Sequence, residues 1–224
     1  MKEPQALKIS IPETGGEVSA LFWRPEDARG ILVLGHGAGA GMTHTNMEGI
    51  TQAMAHQGLA TLRYQFPFME RGGGRDKQSV SLATIHAAIQ QAKVLAPDLP
   101  LLAGGHSFGG RMTSHYVATS PDEDLRGVMF FAFPLHAPGK PGTERATHLV
   151  DIEVPMLFLS GERDTLAKAE LLGPVVANLG DKAQIHWLET ANHGYKVLKR
   201  TRTRHDDVFT EMGLAADPWL KNVL

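Results

Sequence analysis

Gly105-His106-Ser107-Phe108-Gly109 sets a serine in a G-x-S-x-G pattern, and the flanking residues give that pattern its meaning. Leu101-Leu102-Ala103-Gly104 reads as a buried strand running into it, and a helical segment through Met112, Tyr116 and Val117 follows. Strand, sharp turn and helix are what a nucleophile elbow requires. The turn holds the serine in strained backbone geometry, and side chains two positions to either side would collide with strand or helix, so Gly105 and Gly109 are needed there. A serine hydroxyl is a poor nucleophile near neutral pH until a positioned base takes its proton, and that base needs an orienting acid. Downstream, Met156-Leu157-Phe158-Leu159-Ser160-Gly161 reads as another buried strand whose polar exit carries Glu162 and Asp164. Asp164 is the better candidate acid, because Glu162 lies closer to the strand. Ile185-His186-Trp187-Leu188 reads as a last strand, and the loop after it offers His193 as the base.

Each of these residues has a plainer reading: a Gly-rich turn, a helix-capping aspartate, a solvated loop histidine. Their joint arrangement outweighs those readings, since serine, acid and base each follow a strand, in the Ser, Asp, His order that accompanies a strand-turn-helix elbow. Developing negative charge on a reacting carbonyl also needs donors. Ile31 to Leu34 leads into Gly35-His36-Gly37-Ala38-Gly39-Ala40-Gly41, whose small residues let backbone N–H groups face a ligand. Ala38 and Phe108 are the expected oxyanion donors, with Gly39 as the alternative to Ala38. The glycine loop lacks the G-x-x-x-x-G-K-[ST] pattern of a phosphate cradle, which argues against nucleotide binding. His36, His44, His106 and His136 stand in no H-E-x-x-H or comparable spacing, so neither a metal nor any other cofactor is expected.

The elements that must carry these groups follow from the apolar pattern. Ile31–Leu34, Leu101–Ala103, Val128–Phe133 and Met156–Leu159 are continuous apolar runs, the mark of strands buried on both faces of a parallel sheet. Leu7, Ile9, Ile11 and then Val18, Ala20, Phe22 alternate around Gly15-Gly16, which predicts an antiparallel hairpin at the start of the sheet. Leu82, Ile85, Ile89, Ala92 and Ala96 share one helical face, predicting a helix from Asp76 as N-cap to Ala96, before Pro97. Further helices are expected near Asn46, after Ser107, at Thr165 and near Lys196. The basic run from Lys199 to His205, with Asp206, Asp207 and Glu211 beyond it, reads as a solvated helix face. Tyr64, Phe66 and Phe68 either line an acyl pocket or plug the sheet edge. The whole is an α/β fold, a doubly wound, mostly parallel sheet opened by an antiparallel hairpin.

At 224 residues the chain is expected to form one domain, residues 1–224, around one sizeable core. Lys and Arg (22) nearly balance Asp and Glu (24), which removes the basic field that nucleic-acid or anionic-membrane partners require and favours a small-molecule substrate. The absence of cysteine excludes disulfides and a thiol nucleophile. Met1 to Pro12 has no apolar run long enough for a signal segment, and no later stretch approaches a membrane span, so a cytoplasmic location is the default expectation. The sequence specifies no oligomeric state.

Several segments together resemble small dienelactone-hydrolase-like α/β-hydrolases, and more closely a branch shared by bacterial proteins and the testis-expressed hydrolase-like proteins of animals. They are Gly35-His36-Gly37-Ala38-Gly39, Arg63-Tyr64-Gln65-Phe66-Pro67-Phe68, Gly105-His106-Ser107-Phe108-Gly109-Gly110-Arg111, Phe133-Pro134-Leu135-His136-Ala137-Pro138-Gly139-Lys140-Pro141, Gly161-Glu162-Arg163-Asp164 and His193. The resemblance implies the α/β-hydrolase fold and assigns nucleophile, acid and base to Ser107, Asp164 and His193. Dienelactone hydrolase itself uses a cysteine nucleophile, so lactone specificity does not carry over. Lids in this superfamily are inserted after the strand that follows the nucleophile helix, and only His136 to Pro155 is available here. No separate cap domain fits, which favours small or exposed acyl groups. The expected reaction is hydrolysis of a carboxylic ester or thioester through an acyl-enzyme. Peptide cleavage would use the same groups, and a non-catalytic binding or scaffold protein on this fold is the alternative of another class.

Overall fold

The computed structural model describes residues 3–120 and 122–224, so Met1 and Lys2 of the N-terminal stretch lie outside the described residues. In chain order the strands are β1 (Gln5–Ile11), β2 (Gly16–Trp23), β3 (Gly30–Gly35), β4 (Leu59–Tyr64), β5 (Leu101–His106), β6 (Leu125–Phe131), β7 (Met156–Gly161) and β8 (Ala183–Leu188). The α-helices are α1 (Thr45–Ala55), α2 (Pro67–Arg71), α3 (Gln78–Leu95), α4 (Phe108–Thr119), α5 (Ala169–Asn178) and α6 (Val208–Val223), and a 3₁₀ segment covers Glu144–Asp151. All eight strands form one sheet in the order β1-β2-β4-β3-β5-β6-β7-β8. β1 and β2 pair antiparallel, with Ile9 opposite Val18, and the turn between them uses Gly15 at φ 67°. From β4 to β8 every pair is parallel.

The continuous apolar runs divide between two cores. Val33, Ala103, Val128, Phe130 and Phe158 pack on one face with α3, α4 and α5. Leu32, Leu34, Leu102, Met129, Phe131, Leu157 and Leu159 pack on the other with α1 and α6. Period-two alternation within wholly apolar strands thus serves a sheet covered on both sides. The strand order reverses between β3 and β5, so the loops leaving their carboxyl ends diverge and open a crevice there. Gly35 of β3 stands beside Gly105 of β5, which places the glycine loop and the elbow at that crevice. Among the described residues, no helix is long and apolar enough to cross a membrane.

Four local expectations are corrected. The long helix starts at Gln78 with Lys77 as N-cap, because Asp76 instead accepts a hydrogen bond from Arg71 at 2.7 Å. The helix expected at Thr165 begins at Ala169, since Asp164 Oδ1 holds the Leu166 N–H at 2.7 Å in a turn. Residues 196–207 form turns, and the last helix waits for Asp207, whose carboxylate caps the Phe209 and Thr210 N–H groups. The basic run is therefore no helix face. The Arg202 side chain is buried, donates to the Glu189 and Asp206 carbonyls and pairs with buried Glu211 at 2.9 Å. Tyr64, Phe66 and Phe68 are fully buried, and Phe66 and Phe68 pack edge-on to Phe108, so they plug the sheet end.

Candidate active site

Ser107 sits between the end of β5 and the first turn of α4 at φ 52°, ψ −114°, a conformation L-residues rarely adopt. Its surroundings leave no relaxed alternative. A Cβ on Gly105 would meet the Gly109 carbonyl carbon at 2.5 Å and the Gly35 oxygen at 2.7 Å, and one on Gly109 would strike the Gly35 carbonyl. The Ser107 N–H donates to the Phe131 carbonyl at 2.9 Å, fixing the turn to the neighbouring strand. Backbone crowding and this bond together sustain the strain.

The structure brings the expected nucleophile, acid and base together. The Ser107 hydroxyl lies 2.8 Å from His193 Nε2, and His193 Nδ1 lies 2.7 Å from Asp164 Oδ2. A neutral imidazole with its proton on Nδ1 donates to the carboxylate and accepts from the serine, which satisfies both contacts. Asp164 is buried, and its other oxygen takes the Leu166 N–H. His193 rides on a tight turn after β8, where Asn192 Oδ1 accepts the N–H groups of Gly194 and Lys196, each at 3.0 Å. The two loops are stitched together: Arg163 N–H donates to the Ala191 carbonyl, and the Thr190 N–H donates to Glu162 Oε2 at 2.8 Å. Glu162, the competing acid, thus holds the histidine loop in place while Asp164 faces the imidazole.

Gly37, Ala38, Gly39, Ala40, Ser107 and His193 border one cleft of about 180 Å³. Neither the Ala38 nor the Phe108 N–H donates to a protein acceptor among the described residues. Phe108 opens α4, so the unpaired N–H groups and positive dipole end of that helix lie next to the serine.

Comparison with known proteins agrees with this fold. A family model described as an alpha/beta hydrolase domain matches residues 28–221. The chain belongs to this family. Among solved structures, it superposes on a dienelactone hydrolase from Anabaena variabilis over all of both chains, with 17% identity and a TM-score of 0.77. An α/β serine hydrolase without a lid from Xanthomonas campestris matches at 15% identity and TM-score 0.75, covering 100% of this chain and 96% of the other. Est1E from Butyrivibrio proteoclasticus, in a structure with bound ferulic acid, matches at 15% identity and TM-score 0.76 over 97% and 99%. At such identities the likeness establishes the fold.

Within this α/β hydrolase, sequence reasoning left the glycine loop without support, and the structure supplies it. His36 is fully buried, with Nδ1 2.7 Å from the Gly37 oxygen and Nε2 accepting the Phe66 N–H at 2.9 Å. Burial lowers its pKa from 6.5 to about 4, so it is a neutral brace. Gln65 Oε1 accepts the Met42 N–H, and Arg63 donates to the Met42 carbonyl. The Arg63–Phe68 segment therefore clamps the loop that carries Ala38. The only signal in the sequence was polar residues interrupting an apolar strand end. His106 packs against His193 and Tyr195, and burial followed by the His193 charge lowers its pKa to about 4. His44 and Met47, at the start of α1, complete the cleft wall.

Proposed function

We propose that this protein is a serine hydrolase that cleaves carboxylic esters or thioesters through an acyl-enzyme on Ser107. The observation that carries the reading is the hydrogen-bonded chain from Ser107 through His193 to Asp164 at the edge of a cleft. In this mechanism the Ser107 oxygen attacks the carbonyl carbon as His193 Nε2 takes the hydroxyl proton. The carbonyl oxygen becomes an oxyanion, held by the N–H groups of Ala38 and Phe108. The bond to the leaving oxygen or sulfur breaks as the imidazolium returns its proton to that atom. Water, deprotonated by His193, then attacks the acyl-enzyme, and the acid departs with Ser107 reprotonated. Asp164 keeps the imidazole in the tautomer this cycle needs and stabilises its charged form.

The substrate side is small or exposed. The segment after β6 packs its 3₁₀ turn against α4, with the His148 ring 3.7 Å from that of His115. It adds no helical cap, which favours short acyl chains over long ones.

Intact-mass spectrometry after a fluorophosphonate probe tests the reading. The native chain is expected to gain one adduct that Ser107→Ala lacks, and Ser107→Ala should lose about 10⁶ in kcat if serine-protease behaviour transfers. No adduct on the folded native chain would favour a non-catalytic role.

A further inference from the structure

One turn into α4 from Ser107, and on two segments packed close to that helix, lie cationic groups that the mechanism does not use. Phe108, Arg111 and His115 fall on one face of α4, and the Arg111 N–H bonds to the Ser107 carbonyl at 3.0 Å. Arg75, from the loop before α3, stands with its guanidinium carbon 6.0 Å from the centre of the Phe108 ring. Arg145, from the 3₁₀ segment, donates to the His136 carbonyl at 2.9 Å. Arg75 and Arg145 are near enough to repel Arg111, whose pKa is lowered first by burial and then by their two charges.

None of these three arginines forms an ion pair with a carboxylate among the described residues. The acids adjacent to them in sequence are turned elsewhere. Asp76 pairs with Arg71, and the Glu144 carboxylate folds back over Gly142. The Nε of Arg111 is buried without a hydrogen-bond partner. His115 and His148 add no compensating negative charge, and burial lowers the pKa of each. Three guanidiniums gathered without a counter-ion, one with an unsatisfied buried donor, cost free energy that an anion would recover.

We propose that Arg111, with Arg75 and Arg145, binds an anionic group on the substrate, so that the preferred ester carries a carboxylate or similar anion on its acyl part. The proposal rests on the serine-hydrolase reading for its chemistry, and guanidinium forks suit a carboxylate or phosphate.

The test uses p-nitrophenyl monoesters of succinate, glutarate and adipate, each against its methyl-capped neutral counterpart. For the best-fitting length, native kcat/KM should favour the anionic ester by about 10- to 100-fold, the factor of one charge-assisted hydrogen bond. Arg111→Gln should bring the ratio close to one. Arg75→Gln, at an exposed site, should lower it by less, while Arg126→Gln, at the start of β6, should leave it as it is. A native ratio near one at every length, or a ratio untouched in both Arg111→Gln and Arg75→Gln, overturns the proposal. Free glutarate separates a substrate anion from an independent effector: competition with the anionic ester supports the proposal, and activation without competition overturns it. If neither ester turns over and the fluorophosphonate leaves no adduct, the hydrolase reading has failed on its own. Calorimetry with glutarate then decides the arginine cluster, supported by binding that Arg111→Gln loses and overturned by no binding to the native chain or by binding that Arg111→Gln keeps.

Discussion

Two surfaces near Ser107, the glycine loop and the first turns of α4, are built from opposite materials. On one, Gly37 to Ala40 present backbone N–H groups, and the nearby histidines, His36 and His106, are kept neutral by burial. On the other, Arg75, Arg111 and Arg145 bring full charges with no carboxylate paired to them among the described residues. Backbone dipoles cost little when unoccupied and strengthen as charge develops, which suits an oxyanion that exists only during reaction. Full charges suit a group that is charged before, during and after it. On the proposed reading, this difference separates catalysis from recognition around one serine.

Breaking the proposed triad or the neutral flank beside it should have the larger consequences. Asp164→Asn keeps the shape of the buried carboxyl but favours the wrong imidazole tautomer, and is expected to lower kcat about 10⁴-fold if serine-protease behaviour transfers. Steady-state hydrolysis of a short p-nitrophenyl ester measures it, and a loss below tenfold would shift the acid role to another group. Ala38→Pro removes one proposed oxyanion donor. A loss of about 10² to 10³ in kcat is expected, with KM little changed. Circular dichroism at the same temperature separates this from unfolding, and an unchanged kcat in folded protein would move the donor to Gly39.

How much of this was legible in the sequence depended on distance along the chain. Ser107, Asp164 and His193 each sit just past a short apolar strand, so local pattern located them, and the structure brings them together. The sheet was readable for the same reason, since continuous runs reported burial on both faces. The residues 196–207 were not. Charges at helical spacing suggested a solvated face, but Arg202 is tied to the Glu189 and Asp206 carbonyls and to Glu211, and those bonds hold the chain in turns. Asp76 misled because a good capping residue was already taken by Arg71. The arginine cup draws on three separate segments, and the clamp of Arg63 and Gln65 on Met42 spans some twenty residues, so neither leaves a local pattern.

The smallest expected effect concerns how the neutral flank depends on pH. The pKa of His36 is about 4 in the folded chain against 6.5 for an ordinary histidine, because burial penalises its charged form. Between those values the unfolded chain binds a proton that the native state does not, so stability rises with pH through that window. The contribution is complete above about 6.5 and is lost as pH falls to about 4; His106 and His148, also lowered to about 4, act in the same direction. His36→Leu removes one of these titrating groups and leaves the Phe66 N–H without its acceptor. Urea unfolding at pH 7.5 should show a loss of about 1–3 kcal/mol, the cost of one unpaired buried donor. Repeated at pH 6, 5 and 4.5, the variant should lose less with acid than the native chain, by up to one proton in slope. Equal slopes would mean that His36 titrates alike folded and unfolded, and the glycine loop would then rest on Gln65 and Arg63 without a neutral histidine brace.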